Sequence, residues 1–81
     1  NIPKPDPAMA IKAMNDLGVQ KERCVMIGDT INDIGLGVNA GIISIGVTWG
    51  YNSKELLSSA GASYIVNDSI ELSKLMKTIY P

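Results

Sequence analysis

The sequence predicts an α/β fold built around a short parallel sheet. Three observations point there. Apolar, partly β-branched runs of three to six residues lack polar alternation, as strands covered on both faces do. Segments of helical period lie between these runs. Glycines punctuate the ends of the helical segments, and capping residues open them.

Asp6 followed by Pro7 reads as an N-cap and first-turn pair. Met9, Ile11, Met14 and Leu17 follow at near-helical spacing until Gly18 can take a left-handed cap, so a first helix is expected over residues 7–17. Cys24-Val25-Met26-Ile27 is expected as a strand covered on both faces and ending at Gly28. Ile31, Ile34 and Val38 carry the next helix over 31–39, which stops at Ala40-Gly41. Residues 42–47 form a second β-branched strand, and strand, helix and strand in that order imply a right-handed parallel crossover.

Thr48-Trp49-Gly50-Tyr51-Asn52 is a loop, and Asn52 with Glu55 has the spacing of a capping box for a helix running to about Ser59 and closed by Gly61. Tyr64-Ile65-Val66 is a third strand. Asp68 and Glu71 repeat the capping signal, and Ile70, Leu72, Leu75, Met76 and Ile79 supply the apolar face of a last helix. The order αβαβαβα makes about half of an ordinary doubly wound sheet, a Rossmann-like three-layer core, so one strand edge is expected to lack its partner.

Composition narrows the function classes. With 81 residues, 46% hydrophobic and 19% charged, the chain is one globular unit at most. A chain of this size buries only roughly 60% of its unfolded surface, so its core is marginal without a staple or partner. Seven Lys plus Arg against eight Asp plus Glu leave a net charge of −1, which provides no field for nucleic acid or an anionic membrane surface. Cys24 has no cysteine to pair with and no His to join it at zinc, which points to a reducing, cytoplasmic compartment. No apolar stretch is long enough to span a bilayer, and no signal-peptide pattern opens the chain. The start at Asn1, directly before the proline-rich Ile2-Pro3-Lys4-Pro5-Asp6-Pro7, reads as a cut edge.

In open α/β sheets ligands sit beyond the carboxyl ends of the strands, and that filter selects Asp29 and Asp33. Asp29 follows the first strand directly, and Asp33 falls four residues later in the first turn of the next helix. Two carboxylates about 4 Å apart at an effective dielectric near 20 repel by about 4 kcal/mol. A helix N-terminal dipole, a cation or a proton must offset that. Mg²⁺ suits the need, since it takes carboxylates and water in octahedral geometry. The alternative reading is that both acids only cap a helix. Lys4, held between Pro3 and Pro5, offers a stiffly placed ammonium suited to a phosphate, or else a solvated loop lysine.

Lys4-Pro5-Asp6-Pro7, a helix, an apolar strand, then Gly28-Asp29-Thr30-Ile31-Asn32-Asp33 and Gly41 together resemble the haloacid dehalogenase-like (HAD) hydrolase superfamily. The similarity is to the C-terminal half of a phosphatase of the phosphoglycolate phosphatase or β-phosphoglucomutase-like branch, and it covers essentially all 81 residues. The resemblance implies Mg²⁺-dependent phosphomonoester hydrolysis through an aspartyl-phosphate, acting on a small phosphorylated metabolite. It implies that Lys4 neutralises the transferring phosphoryl group. Asp29 would bind Mg²⁺, Asp33 would support the metal or orient the lysine, and Gly28, Thr30 and Asn32 would shape the phosphate site. The family's Asp-x-Asp-Gly-Thr nucleophile motif, its Ser/Thr motif and its cap region belong N-terminal to these positions and do not occur in this sequence. The resemblance therefore makes that N-terminal half the chain's partner and implies that the chain alone is inactive.

Two other functions compete. Gly35-x-Gly37-x-x-Ala40 with Glu55 imitates a dinucleotide fingerprint, but Gly35 falls inside a helix rather than after a strand. A non-catalytic subdomain that works by pairing its open sheet edge with another chain is the other. Residues 29–33 do not make a calcium loop, because Ile31 occupies a ligand position. Cys24 and Met9, Met14, Met26 and Met76 read as packing, and Trp49 and Tyr51 as loop anchors on the rim that carries Asp29.

Overall fold

In a computed structural model, residues 6–80 are described. Strands β1 (Val25–Gly28), β2 (Ile43–Val47) and β3 (Tyr64–Val66) form one parallel sheet in the order β1-β2-β3. Ile27 stands opposite Ile45, and Val47 opposite Val66. Helices α1 (Ala8–Leu17), α2 (Ile31–Asn39), α3 (Lys54–Ser59) and α4 (Ser69–Ile79) complete the αβαβαβα order, with a single 3₁₀ turn at Lys21–Arg23 that the sequence pattern does not announce.

Alternation along the strands separates two faces. Met26, Ser44, Gly46 and Ile65 look toward α2 and α3. Small residues let those helices approach closely, and the Ser44 hydroxyl, buried, donates 3.0 Å to the Ile34 carbonyl. Gly37 of α2 is buried over Ser44 and Met26, where a Cβ would collide with both. That explains a glycine in mid-helix and removes the dinucleotide reading, since Gly35 and Gly37 pack inside α2 instead of opening a phosphate loop. The opposite face buries Ile45, Val47 and Val66, closed by Leu72, Leu75, Met76 and Ile79 of α4.

Three expectations need correction. Among the described residues the run 24–27 is not covered on both faces: β1 pairs only with β2, and Ile27 is 42% exposed. The apolar set on α1 does not enter a core within the described residues. Met9 and Leu17 are 82% and 76% exposed, and α1 has no buried residue. Helical spacing reports that a face is apolar, not what covers it. Lastly, Ser53 rather than Asn52 caps α3, its hydroxyl accepting from Leu56 N at 3.3 Å. The Asp68 cap holds, its Oδ1 accepting from Glu71 N at 2.8 Å, whereas α1 begins at Ala8 with Pro7 rather than Asp6 at its N-cap, and Asp6 Oδ1 accepts from Ala8 N at 2.9 Å one residue outside it.

Ile45 lies fully buried at the centre of the middle strand. Ile45→Ala should cost about 2–5 kcal/mol, the usual range for a large-to-small change in a core. Urea denaturation measures it, and an unchanged midpoint would show that the α4-covered face is not the core.

Candidate functional site

The carboxyl end of β1 turns into α2 through Asp29 and Thr30. Thr30 is the N-cap of α2, its Oγ1 accepting from Asp33 N at 3.1 Å. A hydroxyl there satisfies one of the free amides of the first helical turn. Asp33 consequently sits in that first turn, near the positive end of the helix. Its side chain lies against the end of β1: a Cβ on Gly28 would stand 2.8 Å from Asp33 Oδ2 and clash with Asp33 Cβ. Gly28 is thus a close-approach residue, and no hydrogen bond reaches the Asp33 carboxylate from the described residues.

Asp29 is held from another side. Its Oδ2 accepts from Tyr51 N at 2.9 Å, and its carbonyl accepts from Asn52 N at 2.8 Å. The loop after β2 therefore closes onto the loop after β1, as parallel neighbours with matched register allow. Asn52 reaches further, since its Oδ1 accepts from Ile31 N at 2.9 Å and so caps a second free amide of α2.

Both acids thus lie at the carboxyl end of β1, half-buried, with Asn32 exposed beside them. Lys4 lies outside the described residues. Nothing in the local sequence pattern marks Asn52 or Gly50 as belonging to this rim. Asn52 satisfied a local capping pattern, whereas its actual partner is 21 residues away, and no short-range signal carries such a contact. Trp49 and Tyr51 stand on the same rim, 53% and 84% exposed, and Trp49 with Asn67, Asp68 and Ser69 lines an open cavity of about 310 Å³. A separate cleft of about 670 Å³ under α1, lined by Ile11, Met14, Val19 and Ala40 among others, lies at the amino ends of the strands, away from both acids.

The donor set fits Mg²⁺. It offers hard carboxylate oxygens with no imidazole in the chain, and Oδ1 of Asp29 receives no hydrogen bond among the described residues. Among those residues no third acid, His or Cys joins the pair. Mg²⁺ is commonly bound by one or two carboxylates, with water and substrate phosphate supplying the rest.

The chain is similar to known proteins over most of its length. The phosphoglycolate phosphatase of Colwellia psychrerythraea is 44% identical over 69 residues, covering 85% of this chain and 30% of that protein. Pyrophosphatase PpaX of Bacillus velezensis is 33% identical over 70 residues, covering 86% of this chain and 32% of that protein. The crystal structure of a predicted phosphatase from Clostridium acetobutylicum superposes with a TM-score of 0.82 at 40% identity, covering 89% of this chain and 33% of that one. The chain therefore spans about a third of the length of these relatives. The HAD-hydrolase-like family model matches residues 1–72, and the chain belongs to that family.

Proposed function

We propose that this chain supplies the phosphate-binding lysine, Lys4, and the metal-binding acids, Asp29 and Asp33, of a Mg²⁺-dependent phosphomonoester hydrolase that acts through an aspartyl-phosphate. The observation that carries the proposal is that the loop from β1 into the first turn of α2 carries both acids at the carboxyl end of β1, Asp33 on a capped helix N-terminus and Asp29 held by the Tyr51 amide. Phosphoryl transfer needs positioned charge more than covalent chemistry from this part of the fold, and these residues are of that kind. Mg²⁺, bound by Asp29 with Asp33 in support, would neutralise the phosphoryl oxygens. Lys4 would add an ammonium to the same group, and the backbone at 28–30 would shape the phosphate site together with Asn32.

The substrate class is a small phosphorylated metabolite. The two relatives are named for phosphoglycolate and pyrophosphate, and only a phosphoryl group is common to both names. The free cysteine favours the reducing cytoplasm, and among the described residues no helix is long and apolar enough to cross a membrane.

In this reading the nucleophile comes from outside these 81 residues. The 81-residue chain alone should not turn over an aryl phosphate in Mg²⁺, because metal acids without a nucleophile cannot form the covalent intermediate. A colorimetric assay on the purified chain tests this, and Mg²⁺-dependent turnover would overturn the division of labour.

A further inference from the structure

We infer that the loop at residues 50–52 is a clamp that aims Asp29, with Asn52 and Gly50 as positioning residues of the metal site. The inference rests on the reading of Asp29 as a metal-binding acid and adds what holds it in place.

Three hydrogen bonds run between two consecutive loop residues and the stretch 29–31. Tyr51 N donates to Asp29 Oδ2 at 2.9 Å and Asn52 N to the Asp29 carbonyl at 2.8 Å, while Asn52 Oδ1 accepts from Ile31 N at 2.9 Å. Asn52 therefore grips the chain on both sides of Thr30 and fixes the backbone from which the Asp29 side chain departs. The Tyr51 amide then fixes the carboxylate itself through one oxygen. With Oδ2 engaged, Oδ1 is the atom left for a cation. A carboxylate that offers one oxygen suits Mg²⁺, which demands near-ideal octahedral geometry and tolerates misplaced ligands poorly.

Gly50 is the third part. A Cβ there would collide with Oδ2, Cβ and Cγ of Asp29. The glycines with positive φ are Gly18, Gly41 and Gly61, so Gly50 is not required for its backbone conformation. Its hydrogen side chain makes room for the Asp29 carboxylate. Gly50 is exposed, and apart from its chain neighbours the three atoms nearest such a Cβ all belong to the Asp29 side chain, so a methyl group there would move that carboxylate before it moved the core.

Groups that orient a metal ligand are typically worth 10–100-fold in metal affinity. In the full-length protein, without substrate, Asn52→Ala and Gly50→Ala should each raise the calorimetric Kd for Mg²⁺ about tenfold or more, Gly50→Ala with little change in Tm and Asn52→Ala with the lower Tm that losing the cap on Ile31 N brings. Asn52→Asp keeps an oxygen for Ile31 N and should restore tight binding. A role confined to helix capping would lower Tm and leave Kd alone. Asp29→Asn separates the two layers of argument. If it weakens Mg²⁺ binding while Gly50→Ala and Asn52→Ala bind as the unaltered protein does, the clamp is wrong and the metal site stands. If Asp29→Asn itself binds normally, the metal reading fails and the clamp with it. Gly50→Ala keeps the test decisive should Asn52→Ala fail to fold.

Discussion

Lys4→Ala in the full-length enzyme is expected to lower kcat/KM for a phosphate monoester by at least about a hundredfold, the scale of removing one preorganised charge-stabilising donor from a transition state. Asp29→Asn should lower activity as well and also raise the Mg²⁺ concentration needed for half-maximal rate. The two losses should differ in kind. Asn keeps the shape of Asp29 and the acceptor that Tyr51 N uses, but it removes the negative charge that a dication needs. In the proposed function Lys4→Ala removes a cation that would act on the phosphoryl group, so its deficit should persist at saturating Mg²⁺. Steady-state kinetics across a Mg²⁺ titration distinguishes these, and near-normal turnover in both variants would show that the positions are assigned wrongly.

The legible part of this fold is the part encoded locally. Asp68 and Glu71 are three residues apart and meet within one helical turn, so their spacing alone announces where α4 begins. The strand run at β2 is legible because a buried parallel strand carries little besides apolar and small residues. The placement of Asp29 and Asp33 on one rim follows from the same local arithmetic, since a strand end and the first turn after it share an edge of the sheet.

What was not legible is tertiary. Asn52 obeys the local pattern of a cap for α3, yet Ser53 takes that role and Asn52 crosses to α2. A neighbouring Ser and Asn compete for one cap with similar intrinsic preference, and the long-range contact decides between them. Gly50 read as an ordinary loop glycine because the Asp29 carboxylate that excludes a side chain there comes from a distant segment. Likewise, Met9 and Leu17 read as a core face on α1, while within the described residues they face outward. The same limit applies to β1, whose composition requires cover that its own neighbours do not supply.

That uncovered strand leads to the other large effect. β1 pairs with β2 on one side, and among the described residues no strand pairs with its other side. Backbone groups pointing away from β2 are therefore open beside Ile27, which is 42% exposed. Cys24-Val25-Met26-Ile27 contains no charge or proline to blunt the edge, the usual protection against pairing with another chain. In the proposed enzyme the nucleophile-bearing strand would lie along this edge. The 81-residue chain alone should consequently either self-associate in sedimentation velocity or exchange its 25–27 amides at least about tenfold faster than those of β2, the signature of local opening at low cost. Supplying the N-terminal half of the enzyme in trans should slow that exchange and disperse the oligomers, because the cognate strand satisfies the same groups. A monomeric chain with one cooperative unfolding transition and full protection along β1 would instead make these residues an autonomous domain, and the reading of them as part of a shared sheet would fall.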